Sequence, residues 1–161
     1  MNIRFIDTSI IMNLLEVPGM CDRAQEIKKE FTEAVENNET LILPVSTIIE
    51  SGNHISHISQ GEIRRDRAEK FKKFLNEMAE DSAPWQFYGV DMTKDDLKYL
   101  AEQFPERALT LKMGLGDLSI IRFYENYKKT VPAIGKIMIW STDHHLTEYC
   151  EDMTMKRRRD R

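Results

Sequence analysis

NIRFIDTSIIMNLLEVPG, residues 2–19, is the stretch that decides the fold. Asn2 to Ile6 is a short apolar run that predicts a buried strand, and Ser9 to Glu16 is an almost continuous aliphatic run that predicts a short helix. Pro18-Gly19 stops that helix, and Asp7-Thr8-Ser9 is the hinge between the two elements. The same alternation continues outward. From Cys21 to Asn37, Ala24, Ile27, Phe31, Ala34 and Val35 recur at helical spacing among charged residues, the pattern of an amphipathic helix. Thr40 to Leu43 predicts a second strand ended by Pro44, after which Ser46 or Thr47 caps a helix that runs toward Ser59 despite Gly52.

Glu62 to Ala79 is a long amphipathic helix with Phe71, Phe74, Leu75 and Met78 on one face and Arg and Lys on the other. Gln86 to Val90 predicts a third strand. Thr93 and Asp96 have the spacing of a capping box, ahead of a stripe of Leu97, Leu100, Ala101 and Phe104. A loop containing Pro105 and Met113-Gly-Leu-Gly116 leads to Asp117, and Leu118 to Tyr127 is apolar on nearly every side, as a central helix is. Lys136 to Ser141 is a fourth strand, and His144 to Cys150 a final helical turn or two. Apolar strands separated by helices predict a three-layer α/β domain with a mainly parallel central sheet and helices on both faces.

At 161 residues the chain has the length of one domain, expected over residues 1–155 with a basic tail at 156–161. Its 41% hydrophobic and 31% charged content, with only 7 Gly and 5 Pro, excludes a disordered or low-complexity chain. An acid at position 7 interrupts the place where a signal peptide has its apolar core, and no apolar run approaches the roughly 20 residues that span a bilayer. The expectation is a cytoplasmic protein with no membrane contact, in which Cys21 and Cys150 are reduced packing residues. Ile10 to Leu15 is assigned to the core; as an interface instead, it would make a homodimer.

The net charge of −4 conceals an asymmetry: the last six residues, five basic and one acidic, carry +4, so the remainder carries −8. An acidic body excludes a broad electrostatic footprint for nucleic acid. The tail is either a solvated terminus or an arm for RNA phosphates or an acidic partner.

Asp7, Glu50, Asp117 and Asp143 all fall where strands run out or helices begin. In a parallel sheet those places share one edge, where ligands bind. Taken singly, Asp7, Asp117 and Asp143 are acceptable helix caps, and Thr47-x-x-Glu50 matches a capping box. Jointly they say more. Asp117 shares a helical stripe with Ile120, Ile121 and Tyr124, and Glu50 shares one with Asn53, His54 and His57. Carboxylates gathered without basic neighbours repel one another and imply a bound cation. No Lys or Arg lies within three residues of Glu50, Asp117 or Asp143. An all-oxygen set points to Mg²⁺ or Mn²⁺, and such a site suits phosphodiester hydrolysis.

Ile6-Asp7-Thr8-Ser9, Val45-Ser46-Thr47-Ile48-Ile49-Glu50, Gly116-Asp117-Leu118-Ser119-Ile120-Ile121 and Ile139-Trp140-Ser141-Thr142-Asp143 together resemble the acidic motif series of PIN domains. The resemblance covers roughly residues 3–149. It implies a parallel sheet with helices on both faces, metal-dependent endoribonuclease activity on an RNA substrate, and, as in many bacterial members, the toxin half of a toxin–antitoxin pair with an antitoxin protein as partner. By matching position, Asp7, Glu50, Asp117 and Asp143 are the metal-binding acids, and Thr8 and Ser141 match hydroxyls that support the acids or metal-bound water; the other reading of those two is simple capping. Two features depart from the pattern, the long stretch from Gly61 to Lys112 and the pair His144-His145.

His54-x-x-His57 and His144-His145 lack the nearby Cys and the HExxH order of zinc sites. That leaves His54 or His57 to line the groove and meet substrate phosphate, or to be merely exposed. Met113-Gly-Leu-Gly116 lacks a phosphate-loop spacing and is read as a turn. The basic face of residues 62–79 is either a solvated surface or a flank for RNA. The rival to a nuclease is a catalytically silent PIN-like scaffold that binds RNA or protein; a further rival is a nuclease that acts on DNA.

Overall fold

Alternation along three strands builds two cores. In β1 (Ile3–Ile6), Ile3 and Phe5 point to one side and Ile6 to the other; β2 (Thr40–Pro44) sends Ile42 one way and Leu41 and Leu43 the other; β4 (Lys136–Trp140) divides Ile137 and Ile139 from Trp140. Period-two alternation of apolar residues on both faces is what a sheet covered on both sides requires. The computed structural model describes residues 1–159, with the backbone alone at 157 and 158. With β3 (Trp85–Tyr88) and β5 (Cys150–Asp152), the strand order is β3-β2-β1-β4-β5. Pairing is parallel throughout except between β4 and β5, where Met138 faces Cys150 in an antiparallel register.

Four helices cover the first face: α1 (Thr8–Leu14), α2 (Ala24–Glu36), α3 (Val45–Ser56) and α4 (Gly61–Ala79). They bring Ile10, Ile11, Ile27, Ile55, Phe71 and Phe74 into one core with Trp85, on which Phe74 stacks at 3.8 Å between ring centroids. Ile10 to Met12 are fully buried, as expected of core residues. On the second face lie α5 (Lys94–Leu111) and α6 (Leu115–Thr130), whose Leu118, Ile120, Ile121, Phe123 and Tyr124 form the other core. Three layers result, and α6 is the central helix that its composition predicts. After β4, α7 (His144–Thr147) leads into β5, and α8 (Met153–Arg159) follows it. No helix among the described residues is long and apolar enough to cross a membrane.

Several expectations need correction. The third helix is preceded by Pro44 without a side-chain cap, so neither Ser46 nor Thr47 caps it; the Thr47 hydroxyl instead donates to the Ile6 carbonyl at 2.8 Å. α5 runs through Pro105 rather than ending before it. Pro105 is exposed, and Leu100, Phe104 and Leu111 hold the helix against the core on both sides of it. Leu97 and Ala101 are exposed, not part of the buried stripe. The stripe is turned toward Asp96, which is buried and takes Arg122 Nε at 2.7 Å and Asn126 Nδ2 at 3.0 Å from α6. Although burial alone would raise the Asp96 pKa, the Thr93 amide, Arg122 and Asn126 hold it well below the usual carboxylate range. The Thr93–Asp96 capping box is formed as the spacing predicts.

Leu115 and Gly116 belong to the first turn of α6 and not to a turn before it. Both cysteines are free, but Cys150 is exposed on β5 and is no packing residue. Part of the basic tail, residues 156–159, lies in α8, where Lys156 pairs with Glu151; Asp160 and Arg161 and the side chains of Arg157 and Arg158 lie outside the described residues.

Candidate functional site

The carboxyl ends of β1 and β4 place the first two acids. Asp7 continues β1 by one residue, its amide donating to the Trp140 carbonyl at 3.0 Å, so Asp7 and Ser141 emerge side by side from paired strands. Ser141 Oγ donates to Asp7 Oδ2 at 2.7 Å, Ser9 Oγ donates to the same oxygen at 2.7 Å, and the Ser9 amide adds a longer bond at 3.3 Å. One carboxylate oxygen of a residue only 4% exposed therefore collects three donors. The other, Oδ1, accepts no hydrogen bond from the described residues. Asp143 is the N-cap of α7, where its Oδ1 accepts from the His145 amide at 2.9 Å, and Ser141 Oγ accepts from the Asp143 amide, also at 2.9 Å.

The remaining two acids come from helices on opposite faces of the sheet. Glu50 lies on the second turn of α3, which the Thr47–Ile6 bond pins to the end of β1. It does not close a capping box with Thr47; its Oε2 accepts from Thr8 Oγ1 at 3.0 Å. Asp117, in the first turn of α6, reaches the same edge from the other side. Gly116 makes this approach feasible, because a Cβ built on it would lie 1.7 Å from Glu50 Oε1.

All four acids line one open cleft of about 490 Å³, together with Thr8, Ser9, Met20, Asn53, His54 and Gly114. No Lys or Arg is among these lining residues, and Asp7, Glu50 and Asp117 form no ion pair among the described residues. Asp143 has only His144, whose Nδ1 is 3.8 Å from its Oδ1. Burial first, and then the charges of Asp7, Glu50 and Asp143, push the Asp117 carboxyl up to about 7. A carboxyl that resists ionisation in such company marks a place where a cation would be welcome. The donors are all hard oxygens, which suits Mg²⁺ or Mn²⁺. Asp7 Oδ1 and the Asp117 carboxylate are free to ligate.

A pH dependence follows with a definite sign. A carboxyl whose folded pKa is raised favours the folded state while it is protonated, and that stabilisation is lost as pH climbs through the folded value. Metal-free protein should therefore melt at progressively lower temperature between about pH 5 and pH 8, and Asp117→Asn should flatten the trend. Melting curves in a chelator across that range check it. A wild-type melting point that rises over the same interval contradicts it.

The sequence reading singled out all four acids but missed Ser9 as an anchor of Asp7, Thr47 as the pin of α3 and Gly116 as the clearance for Glu50. Thr8 and Ser141 touch the acids directly, Thr8 bonding Glu50 and Ser141 bonding Asp7. Of the histidines, His54 lines the cleft, whereas His57 Nδ1 donates to the Asn53 carbonyl at 2.6 Å. Asp143, His144 and His145 bring a carboxylate oxygen and two imidazole nitrogens within 4.8 Å of one another, with both Asp143 and His144 exposed. The basic face of α4 makes some contacts within the protein, while its lysines stay exposed to solvent. Arg64 and Arg67 donate to the carbonyls of Ile58 and Glu16, and Lys70, Lys72 and Lys73 pair with Asp66, Glu69 and Glu77. Neither a scan against models of known protein families nor a search of curated proteins returns a match for this chain.

Proposed function

We propose that the protein is a Mg²⁺- or Mn²⁺-dependent endoribonuclease with a PIN-like fold. The observation that carries this reading is the meeting of four carboxylates in one cleft with no Lys or Arg among its lining residues. The mainly parallel sheet, with all four acids at the edge where its parallel strands end, supports it. Asp7, Asp117 and Asp143 would hold the principal ion, and Glu50 completes the site through a water molecule or a second ion. A bound Mg²⁺ or Mn²⁺ supplies an activated water and neutralises charge on the leaving oxygen.

The chain's own residues do the rest. Ser9 and Ser141 fix Asp7 through Oδ2, so that Oδ1 faces the cleft in one orientation. Thr8 holds Glu50 where its carboxylate can accept a hydrogen bond from the attacking water. In-line attack on phosphorus breaks the bond to the 3′-oxygen, which leaves with a proton as a 3′-hydroxyl, and the other product carries a 5′-phosphate. The resemblance to PIN toxins extends the proposal to a toxin–antitoxin pair, with an antitoxin protein as partner.

One observation favours the silent scaffold: Asp7 and Asp143 do cap α1 and α7. A single experiment separates the readings. Mn²⁺ should raise the melting temperature, because ligation relieves the repulsion among the acids in the folded state alone, and it should switch on cleavage of an RNA oligonucleotide but not of the DNA oligonucleotide of the same sequence. No thermal response would leave Asp7 and Asp143 as caps and the protein as a scaffold. Equal or faster cutting of the DNA would make it a DNA nuclease.

A further inference from the structure

A cleft walled by carboxylates repels a phosphodiester unless something in it donates hydrogen bonds. Two hydroxyls there are already committed: Thr8 Oγ1 donates to Glu50 and Ser9 Oγ donates to Asp7. Lys and Arg are absent from the lining residues. Among the lining side chains, what remains is the outer part of α3. Glu50, Asn53 and His54 fall at i, i+3 and i+4, so they share one side of the helix, and all three line the cleft. Asn53 and His54 are exposed. Neither side chain has a hydrogen-bond partner among the described residues, and His54 forms no ion pair there. His57, further along the same stripe, is occupied by the Asn53 carbonyl.

We propose that His54 is the substrate-recognition residue of this cleft, donating a ring N–H to a non-bridging oxygen of an RNA phosphate, with the Asn53 amide beside it. The inference rests on the nuclease reading. Imidazole offers an N–H in both of its protonation states, so the contact is available to neutral and charged forms alike. A bond to a charged oxygen is about twice as strong as one between neutral groups. Placed one turn beyond Glu50 and paired with none of the acids, His54 acts on the RNA and not on the ion.

The test uses the whole protein, Mn²⁺ and a 5′-labelled, mixed-sequence single-stranded oligoribonucleotide. His54→Ala should raise KM about tenfold or more, the loss expected for one hydrogen bond to a charged group, with a much smaller change in kcat. His54→Gln, which keeps an N–H donor, should recover part of that loss. The Mn²⁺-induced rise in melting temperature should be the same for wild type and both variants. An unchanged KM in His54→Ala, with the wild type cutting, overturns the inference and leaves the nuclease reading standing. A variant that loses the Mn²⁺ response makes His54 a metal ligand, and an effect confined to kcat assigns it to the chemical step; either overturns the proposal. A wild type that does not cut removes the nuclease reading, and this inference with it.

Discussion

Asp7→Asn is expected to abolish Mn²⁺-dependent cleavage and the Mn²⁺-induced rise in melting temperature while leaving the fold intact. Asn is as good an N-cap as Asp, and its side-chain oxygen can still accept from the Ser9 amide and from the Ser9 and Ser141 hydroxyls that now meet Oδ2. Its amide group then points where Oδ1 stood, putting a donor in place of a ligand. Metal ions contribute several kcal/mol of transition-state charge stabilisation, so the loss should reach at least about a thousandfold in kcat/KM. Without metal, the variant should melt no lower than the wild type, because one of the charges repelling Asp117 has gone. Far-UV circular dichroism, melting curves and oligonucleotide cleavage on one preparation read all three quantities. Undiminished cleavage by Asp7→Asn, in protein free of contaminating nuclease, would remove Asp7 from the machinery.

Gly116→Ala should separate activity from stability in the opposite sense to a core mutation. Gly116 sits in the first turn of α6 with an ordinary backbone, where alanine is the better helix former by about 1 kcal/mol. The added methyl would nevertheless fall 1.7 Å from Glu50 Oε1 and 2.5 Å from its Cδ. The far end of a Glu side chain moves readily, so the carboxylate swings aside, gives up its bond from Thr8 and leaves the cleft. Misplacing a catalytic group by about 1 Å can lower the rate about a hundredfold. Gly116→Ala should therefore lose as much activity as Glu50→Gln and melt within a few degrees of the wild type. If Gly116→Ala cuts RNA normally, the position of Glu50 is not what the reaction needs.

The outcome shows which physical signals a sequence carries. β1, β2 and β4 are legible because short, mostly apolar runs bounded by an acid, a proline or a serine have few other structures open to them. α6 is legible because Leu118, Ile120, Ile121, Phe123 and Tyr124 give it an unusually broad apolar face. Asp7, Asp117 and Asp143 stand out because each ends or begins an element, and Glu50 lies only one turn into α3. By contrast, β5 has three residues, two of them acidic, and takes its form from backbone pairing with β4. Pro105 argues locally for a break, yet tertiary packing of Leu100, Phe104 and Leu111 carries the helix past it. Ser9, Thr47 and Gly116 act across large separations in the chain, as the Ser9–Thr142 and Thr47–Ile6 bonds do. No local pattern records such a contact, because either partner alone is an ordinary polar or small residue.

The register that seats Ile3 beside Ile137 has a bearing on how the protein is made. A ribosome releases Asp7 and Glu50 before Asp117 and before β4, the strand that leads to Asp143, and β4 must slot in next to β1. Pairings between such distant segments form slowly. On the nuclease reading, a nascent polypeptide stays harmless to the very messenger that encodes it until β4 is out of the tunnel.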